Sequence, residues 1–289
     1  MNFSLRYLTE YRYDAPVTDN LNSLRVRPAT NSLQRTDEFS IRVEPEARMS
    51  RYVDYFGTEV IEFGIAKPHD HLCIDVRARV VTKAQDDPAE LGWEALSRPE
   101  YREAAGEFLL PAGNEPHDAT MLEYLDQFID TPSPLATLNE LAQMIPNRFE
   151  YNQHATYVGS TVEDLFAAGG GVCQDFVHLG LILLRRRGIA ARYVSGYLWA
   201  APQDDGQDSV EVETHAWIEA LLPGEREPAW VGCDPTNRRL ADESHVKIGH
   251  GRVYADVPPI KGVYAGSSGS HLEASVTMSR LDPAASAKP

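Results

Sequence analysis

The sequence predicts an α+β fold in which a buried helix packs against an antiparallel sheet, preceded by a small N-terminal β-sandwich. Three observations support this prediction. Short segments of alternating polar and apolar residues occupy positions 2–83, as expected of half-buried strands. A nearly continuous apolar stretch at 172–184 has the length and composition of a buried helix. Beyond Gly188 the apolar residues alternate again, which indicates a second sheet.

Changes in composition divide the 289 residues into four parts. Residues 1–83 are β-rich, and residues 84–133 form a connector with short helices expected at 99–108 and 119–129. Residues 134–281 carry the candidate chemistry, and residues 282–289 form a tail that we expect to be disordered.

The N-terminal strands are expected at 5–13, 39–45, 52–57, 60–65 and 73–80. Ala15 and Pro16 break the first strand, and a turn near Gly57 makes a hairpin of the third and fourth. His69 and His71 flank Asp70 in a way that resembles a metal pair, but we interpret this segment as a solvated loop.

The later elements follow from periodicity and capping residues. A helix begins at Pro134 and is expected to end at Pro146. Thr161, with acidic residues in the next turn, begins a short helix. Strands are expected at 189–199, 210–221 and 229–234, with a polar turn at 202–208, and further strands at 253–254 and 271–278.

Composition and charge exclude several classes of function. The chain has 27 basic and 43 acidic residues, for a net charge of −16, which disfavours nucleic acid and anionic membranes as partners. No run of 18 apolar residues exists, and the first residues lack the pattern of a signal peptide. Three widely spaced cysteines are not a disulfide framework. We therefore expect a cytoplasmic protein.

Cys173 is the first candidate site residue. Three glycines at 169–171 lead the backbone into it, and we expect the buried helix to begin there and to end at Gly188. A cysteine in the first turn of a helix lies at the positive end of the helix dipole, which favours the reactive thiolate. The glycines leave space for a substrate carbonyl. The alternative is a buried structural thiol.

A thiol nucleophile needs a base, and the base needs an orienting group. His215 lies within one predicted strand and Asp234 ends the next, so hairpin pairing would bring them together. The carboxylate would fix the imidazole tautomer and stabilise its charged form, which stabilises the thiolate. Trp217, on the same strand face as His215, would shield the pair from water.

Each assignment has an alternative. A histidine in a strand is commonly packed or exposed, and an aspartate before Pro235 is commonly a turn residue. Glu213 competes with Asp234 as the partner of His215.

A metal site is the other chemistry that these residue types permit. The candidate ligands would be Cys173, His178, His215 and Cys233. No short paired spacing such as C-x-x-C joins them. We therefore expect neither a metal nor another cofactor.

The order of the three residues and their surroundings resemble the transglutaminase-like branch of the papain-type superfamily. The resemblance rests on the motifs Gly171-Val172-Cys173-Gln174-Asp175, Gly188-Ile189-Ala190-Ala191-Arg192-Tyr193-Val194-Ser195-Gly196-Tyr197, Thr214-His215-Ala216-Trp217 and Gly232-Cys233-Asp234-Pro235-Thr236-Asn237. This part covers roughly 134–240. The segments at 11–17, 54–57, 68–69 and 251–259 are also similar to the β-rich domain and tail of bacterial members.

The resemblance implies a papain-like core with a Cys–His–Asp triad at Cys173, His215 and Asp234. It implies acyl transfer at an amide or peptide bond through a thioester, with a peptide or protein as substrate. The backbone N–H of Cys173 would hold the oxyanion together with one further donor. The candidates for this donor and for other contacts beside the substrate are Gln174, Tyr151 and Trp217.

We expect hydrolysis, so that the protein would be a cysteine peptidase or amidase. The alternative within the same chemistry is transglutaminase-type cross-linking or amine incorporation. The alternative of another class is a non-catalytic binding or scaffold protein on the same fold. The sequence gives no indication of oligomeric state.

Overall fold

The computed structural model describes residues 1–113, 115–116, 118–127, 130–200, 209–212, 214–267 and 269–281. Four predictions concern residues outside these ranges. They are the end of the helix at 128–129, the turn at 202–208, the competing role of Glu213 and the tail at 282–289.

Strands occupy the N-terminal region, as predicted. They are β1 (Asn2–Leu24), β2 (Gln34–Glu44), β3 (Met49–Val53), β4 (Glu59–Ile65) and β5 (His69–Thr82). β1 continues past the predicted break, but its register with β5 shifts between Arg12 and Val17. Pro16 lies in this shift because it has no backbone N–H to donate. β3 and β4 form the predicted hairpin, and Gly57 adopts a left-handed φ of 81° in its turn.

The predicted solvated loop around His69 is wrong. His69 begins β5 and is 8% exposed. Its Nδ1 donates to the carbonyl of Lys67 at 2.9 Å, so its Nε2 accepts from the Asn20 amide at 3.1 Å. Both ring nitrogens are therefore satisfied inside the protein, and burial of the ring carries no unpaired polar group.

Helices follow in the connector and at the start of the next region. They are α1 (Pro99–Ala105), α2 (Ala119–Asp126) and α3 (Pro134–Arg148). A short 3₁₀ turn at 106–109 completes the predicted segment 99–108. The predicted end of α3 at Pro146 is wrong. Pro146 lies in the last turn, where it removes only its own N–H, and Phe149 N still donates to Ile145 O at 3.0 Å.

Two short parallel strands and two helices lead to Cys173. They are β6 (Glu150–Tyr151), α4 (Val162–Ala168), β7 (Gly170–Gly171) and α5 (Cys173–Arg186). Thr161 and Asp164 form the capping box of α4. Gly169 ends that helix at a φ of 68°, and Gly188 follows α5 at a φ of 77°. The prediction of a buried helix that begins at Cys173 is confirmed.

The remaining strands complete both sheets. They are β8 (Ala191–Leu198), β9 (Ser209–Val212), β10 (Thr214–Leu222), β11 (Ala229–Asp234), β12 (Arg239–Leu240), β13 (His245–Gly251), β14 (Ile260–Ala265) and β15 (Ser270–Arg280). The predicted strand at 210–221 is two strands of different sheets. β9 pairs with β15, whereas β10 pairs with β8 and β11. The predicted strand at 253–254 is wrong, because Tyr254 begins a 3₁₀ turn capped by Asp256.

Among the described residues, eight strands form the first sheet and five form the second. The first sheet curls around β1, which pairs with β5 and β15 along its first half and with β4 and β14 along its second. β14 and β15 come from the region that the sequence assigns to the catalytic core. The first sheet therefore takes strands from both ends of the chain.

The second sheet has the antiparallel order β12-β11-β10-β8-β13 and is covered on both faces. α5 packs on one face, and Gly180 permits close approach because a Cβ there would lie 2.3 Å from Ile218 Cδ1. The first sheet packs on the other face against Tyr197, Trp199, Val246 and Ile248. The predicted α+β fold is confirmed. No helix in the described ranges has the length and apolar character needed to cross a membrane.

Candidate active site

Cys173 is the first residue of α5, and the residues before it are fixed in place. The Asp175 carboxylate accepts from the backbone N–H of Val172 at 2.8 Å and from the hydroxyl of Thr156 at 2.6 Å. A Cβ at Gly171 would lie 2.6 Å from Asp175 Oδ2. This position therefore needs glycine for close packing, and the Asp175 cap sets the direction from which the chain reaches the cysteine.

His215 and Asp234 come together as their adjacent strands predict. β10 and β11 pair with Ile218 opposite Cys233, and His215 Nε2 lies 2.8 Å from Asp234 Oδ2. The Asp234 side chain is fully buried and that of His215 is 11% exposed. Since an ionised carboxylate only accepts hydrogen bonds, Nε2 carries the proton and Nδ1 is the nitrogen available to Cys173.

The environment favours a charged pair. Burial lowers the pKa of His215, but hydrogen bonds and charges from Asp234 and Cys173 outweigh burial and raise this pKa to about 9. Burial raises the pKa of Asp234, but hydrogen bonds from His215 and His245 outweigh it and hold the pKa well below its usual range. At neutral pH the imidazole is therefore protonated and the carboxylate ionised.

Cys173 and His215 line one cleft of about 360 Å³. Gln174 and Tyr151, the candidates for contacts beside the substrate, line the same cleft. Gln174 is 8% exposed, whereas Tyr151 is 46% exposed. Their roles as oxyanion donors stay predictions.

Trp217 lies elsewhere. It is absent from the lining of the Cys173 cleft and instead borders a separate small cavity with His245. Its ring is stacked 6.3 Å from the ring of His215 and is 2% exposed. The side chain covers His215, as expected of a residue that shields the pair from water, and its assignment as a residue beside the substrate stays a prediction.

The alternative metal set does not come together around Cys173. Cys233 is fully buried, its Sγ donates to Leu138 O at 3.5 Å, and burial raises its pKa. Burial and Arg185 lower the pKa of His178 to about 4. His178 Nε2 accepts from the backbone N–H of Tyr254 at 3.3 Å. Both residues are accounted for by packing.

Two residues that the sequence analysis missed also hold Asp234. Asn237 donates to Oδ2 from its side-chain amide at 2.8 Å and to Oδ1 from its backbone at 3.2 Å. Asn237 lies in the same turn as Asp234, in the sequence Asp234-Pro235-Thr236-Asn237, so the sequence could have predicted this contact. His245 Nε2 lies 3.1 Å from Oδ2. No local sequence pattern predicts this contact, because it depends on the pairing of β13 with β8.

The donor atoms of His215, Asp234 and His245 lie within 4.8 Å of one another. The hydrogen bonds between them account for this spacing. The absence of a metal cofactor stays a prediction.

Known proteins resemble this chain over nearly its whole length. Residues 3–81 match the family described as the bacterial transglutaminase-like N-terminal region, and residues 123–235 match the transglutaminase-like superfamily. An uncharacterized protein of Mycobacterium leprae is 32% identical over 274 residues, covering 94% of this chain and 96% of that protein. One of Mycobacterium bovis is 32% identical over 289 residues, covering 95% and 91%.

A crystal structure shows the same fold. A protein from Cytophaga hutchinsonii, provisionally named a cysteine protease, superposes with a TM-score of 0.73 at 21% identity. The match covers 96% of this chain and 97% of that one. The predicted arrangement of a β-rich region and a papain-like core is thereby confirmed.

Proposed function

This chain belongs to the bacterial transglutaminase-like family, a family of thiol-dependent acyl transfer, and we propose that it is a cysteine peptidase or amidase. In this proposal Cys173 is the nucleophile, His215 the acid and base, and Asp234 the group that orients His215. The expected substrate is a peptide or protein. A cytoplasmic location is part of the proposal and is supported by the three cysteines, which are all free.

One observation carries the proposal. His215 interacts with both Asp234 and Cys173, and its pKa is raised to about 9 despite burial. An imidazolium beside a sulfur at the positive end of a helix stabilises the thiolate, which is the nucleophilic form. Cys233 and Cys73 have no such partner in the described contacts.

The geometry supports a two-step reaction. The Cys173 thiolate attacks the amide carbonyl, and the new oxyanion is held by the backbone N–H of Cys173 and a second donor from Gln174 or Tyr151. The C–N bond then breaks as His215 donates its proton to the leaving amine, which leaves a thioester. His215 next takes a proton from water, which attacks the thioester, releases the acid and restores the thiolate.

Hydrolysis and amine transfer differ only in the second nucleophile. The provisional name of the Cytophaga protein supports hydrolysis. Amine incorporation is the second candidate function, because family membership is equally compatible with it. A scaffold role is disfavoured because Cys173 and His215 line one open cleft and the buried Asp234 carboxylate contacts His215.

The test is covalent capture followed by a choice of acceptor. A library of activated acyl donors is incubated with the protein, and mass spectrometry locates the acyl group. An acyl group on Cys173 of the wild type, together with no acylation of the Cys173→Ala variant, supports thiol catalysis. Turnover of the captured donor with and without a small primary amine then separates the two functions. Amine uptake would contradict a purely hydrolytic enzyme, and no capture by any donor would favour the scaffold.

A further inference from the structure

We propose that His245 is a positioning residue, which holds Asp234 through a second hydrogen bond to the oxygen that His215 contacts. We further propose that the N-terminal strands β1–β5 of the first sheet, here called the N-terminal sheet, set the position of His245. The inference rests on the proposed function, because it gives a role to a residue behind the candidate triad. It also assigns a task to the N-terminal sheet, which contributes none of the three candidate catalytic residues.

Three side chains contact one oxygen of the Asp234 carboxylate. Its Oδ2 lies 2.8 Å from His215 Nε2, 3.1 Å from His245 Nε2 and 2.8 Å from Asn237 Nδ2. The side chains of Asp234 and His245 are 0% and 2% exposed. A carboxylate buried to this extent depends on protein donors to stay ionised, since water does not reach it.

The surroundings of His245 fix its tautomer. The backbone N–H of Asp242 donates to His245 Nδ1 at 3.1 Å, so in the neutral ring the proton is on Nε2. Nε2 therefore donates to Asp234. Asp242 Oδ1 lies 3.2 Å from the same Nδ1, and the ring of Trp217 contacts His245 edge-on at 5.2 Å. Contacts at both ring nitrogens and at the ring of Trp217 therefore hold the imidazole in place, with Nε2 directed at Asp234.

The other charged groups beside His245 are engaged with each other. Glu219 and Lys247 line the small cavity next to it. Lys247 Nζ donates to Glu219 Oε2 at 2.5 Å, and Arg192 donates to the same oxygen at 2.6 Å. Asp234 and Asp242 are therefore the carboxylates with which His245 interacts.

The N-terminal sheet holds the strand that carries His245. The amide of Gln34, from β2, donates to Lys247 O at 2.8 Å and accepts from Lys247 N at 2.8 Å. Ala29 N donates to the same carbonyl at 2.9 Å. Thr82, at the end of β5, donates to Glu243 O at 2.6 Å. These bonds fix the residues two positions before and two positions beyond His245.

This arrangement has a consequence for His215. The hydrogen bond to Asp234 is the largest effect that raises the pKa of His215. That bond requires the carboxylate to stay directed at Nε2 inside a site that water does not fill. If His245 stops donating, one of the three contacts that orient Oδ2 is lost, the carboxylate can rotate away from Nε2, and the pKa of His215 falls.

The test compares two polar substitutions of His245. A glutamine amide nitrogen reaches the place of Nε2, whereas an asparagine amide nitrogen reaches only the place of Nδ1. The pKa of His215 is measured by NMR titration in the wild type, His245→Gln and His245→Asn. We expect the glutamine variant to match the wild type. We expect the asparagine variant to lower the His215 pKa by about one unit, the equivalent of one charged hydrogen bond.

Alkylation of Cys173 at about pH 6 is the second readout, with an expected loss of about tenfold in His245→Asn. His69→Gln is the matched control for replacing a buried histidine, and it should change neither readout. Gln34→Leu removes both bonds to Lys247 and should lower the His215 pKa in the same direction. It carries the test alone if His245→Asn does not fold.

The outcomes separate the two proposals. An unchanged His215 pKa in His245→Asn, or equal falls in the asparagine and glutamine variants, overturns the role of His245. An unchanged pKa in Gln34→Leu overturns the role of the N-terminal sheet. A wild-type Cys173 that reacts no faster than Cys73 contradicts the proposed function, whereas the NMR titration still decides whether His245 positions Asp234.

Discussion

The imidazole of His215 and the carboxylate of Asp234 are joined by a hydrogen bond of 2.8 Å, with the aspartate wholly removed from solvent. A charged pair in such a place has two effects. It prepares the sulfur of Cys173 for reaction, and it makes the stability of the fold depend on the proton carried by His215.

The stability of the protein should therefore fall at alkaline pH. The pKa of His215 rises from 6.5 to about 9 on folding, because Asp234 and Cys173 outweigh burial. Its stabilisation is complete below pH 6.5 and is lost as the pH rises through 9. We expect a loss of about 3 kcal/mol in the free energy of unfolding across this window, measured by urea titration. His215→Gln should flatten the curve, and a curve of unchanged slope would assign the loss to other groups.

The three cysteines should differ sharply in reactivity. Cys173 lies in an open cleft beside a protonated imidazole, whereas Cys233 is fully buried with its pKa raised by burial. Burial also raises the pKa of Cys73. At about pH 6 we expect iodoacetamide to label Cys173 at least tenfold faster than the other two, as read by peptide mass spectrometry. Cys173→Ala should keep the melting temperature, and unfolding on that change would make the sulfur structural.

Two glycines near α5 should respond differently to alanine. Gly171→Ala places a Cβ 2.6 Å from Asp175 Oδ2, which must move and shift the start of the helix. Gly188→Ala meets no atom but requires a left-handed φ of 77°. We expect both to lose about 1–2 kcal/mol of stability, but only Gly171→Ala to slow alkylation of Cys173. Equal alkylation rates in the two variants would show that the Asp175 cap does not position the sulfur.

The buried charges behind the sheet predict a severe effect of one isosteric change. Burial raises the pKa of Glu219, but Lys247 and Arg192 outweigh it and lower the pKa to about 2. This stabilisation is present above pH 4.5 and is lost as the pH falls through 2. Glu219→Gln leaves two buried cations without their carboxylate partner and should destabilise the fold by about 3–5 kcal/mol. Glu219→Gln with Lys247→Met should recover part of the loss in chemical denaturation.

Removal of metal should have no effect. His215, Asp234 and His245 are held by hydrogen bonds among themselves and to neighbouring groups. We expect dialysis against a chelator to change neither the alkylation rate of Cys173 nor the melting temperature. A slower rate that zinc restores would replace the hydrogen-bonded set with a metal site.

The candidate site could be predicted where its residues are neighbours in the sequence or in adjacent strands. Cys173 comes after three glycines and begins an apolar helix, so the local sequence pattern predicts its position at the start of α5. His215 and Asp234 lie on consecutive antiparallel strands, whose pairing follows from the short connection between them. Thr161 likewise predicts its own capping box.

The rest of the site and of the fold depends on contacts between segments that are distant in the sequence. His245 meets Asp234 only because β13 pairs with β8, and alternation in 245–251 does not say which strand is its neighbour. β9 and β10 lie within one alternating pattern of polar and apolar residues. This pattern does not indicate that the two strands belong to different sheets. Trp217 lies on the same strand face as His215, but its ring borders the small cavity beside His245 rather than the Cys173 cleft.

The pairing of β1 with β15 sets an order of events during synthesis. Eleven residues of β1, from Phe3 to Tyr13, are matched to partners between Ser270 and Arg280. The ribosome makes β1 long before β15, so this edge of β1 stays open until β15 has been made. An open edge invites pairing with other nascent chains. Chains interrupted before β15 should therefore aggregate, although every candidate catalytic residue has already been made.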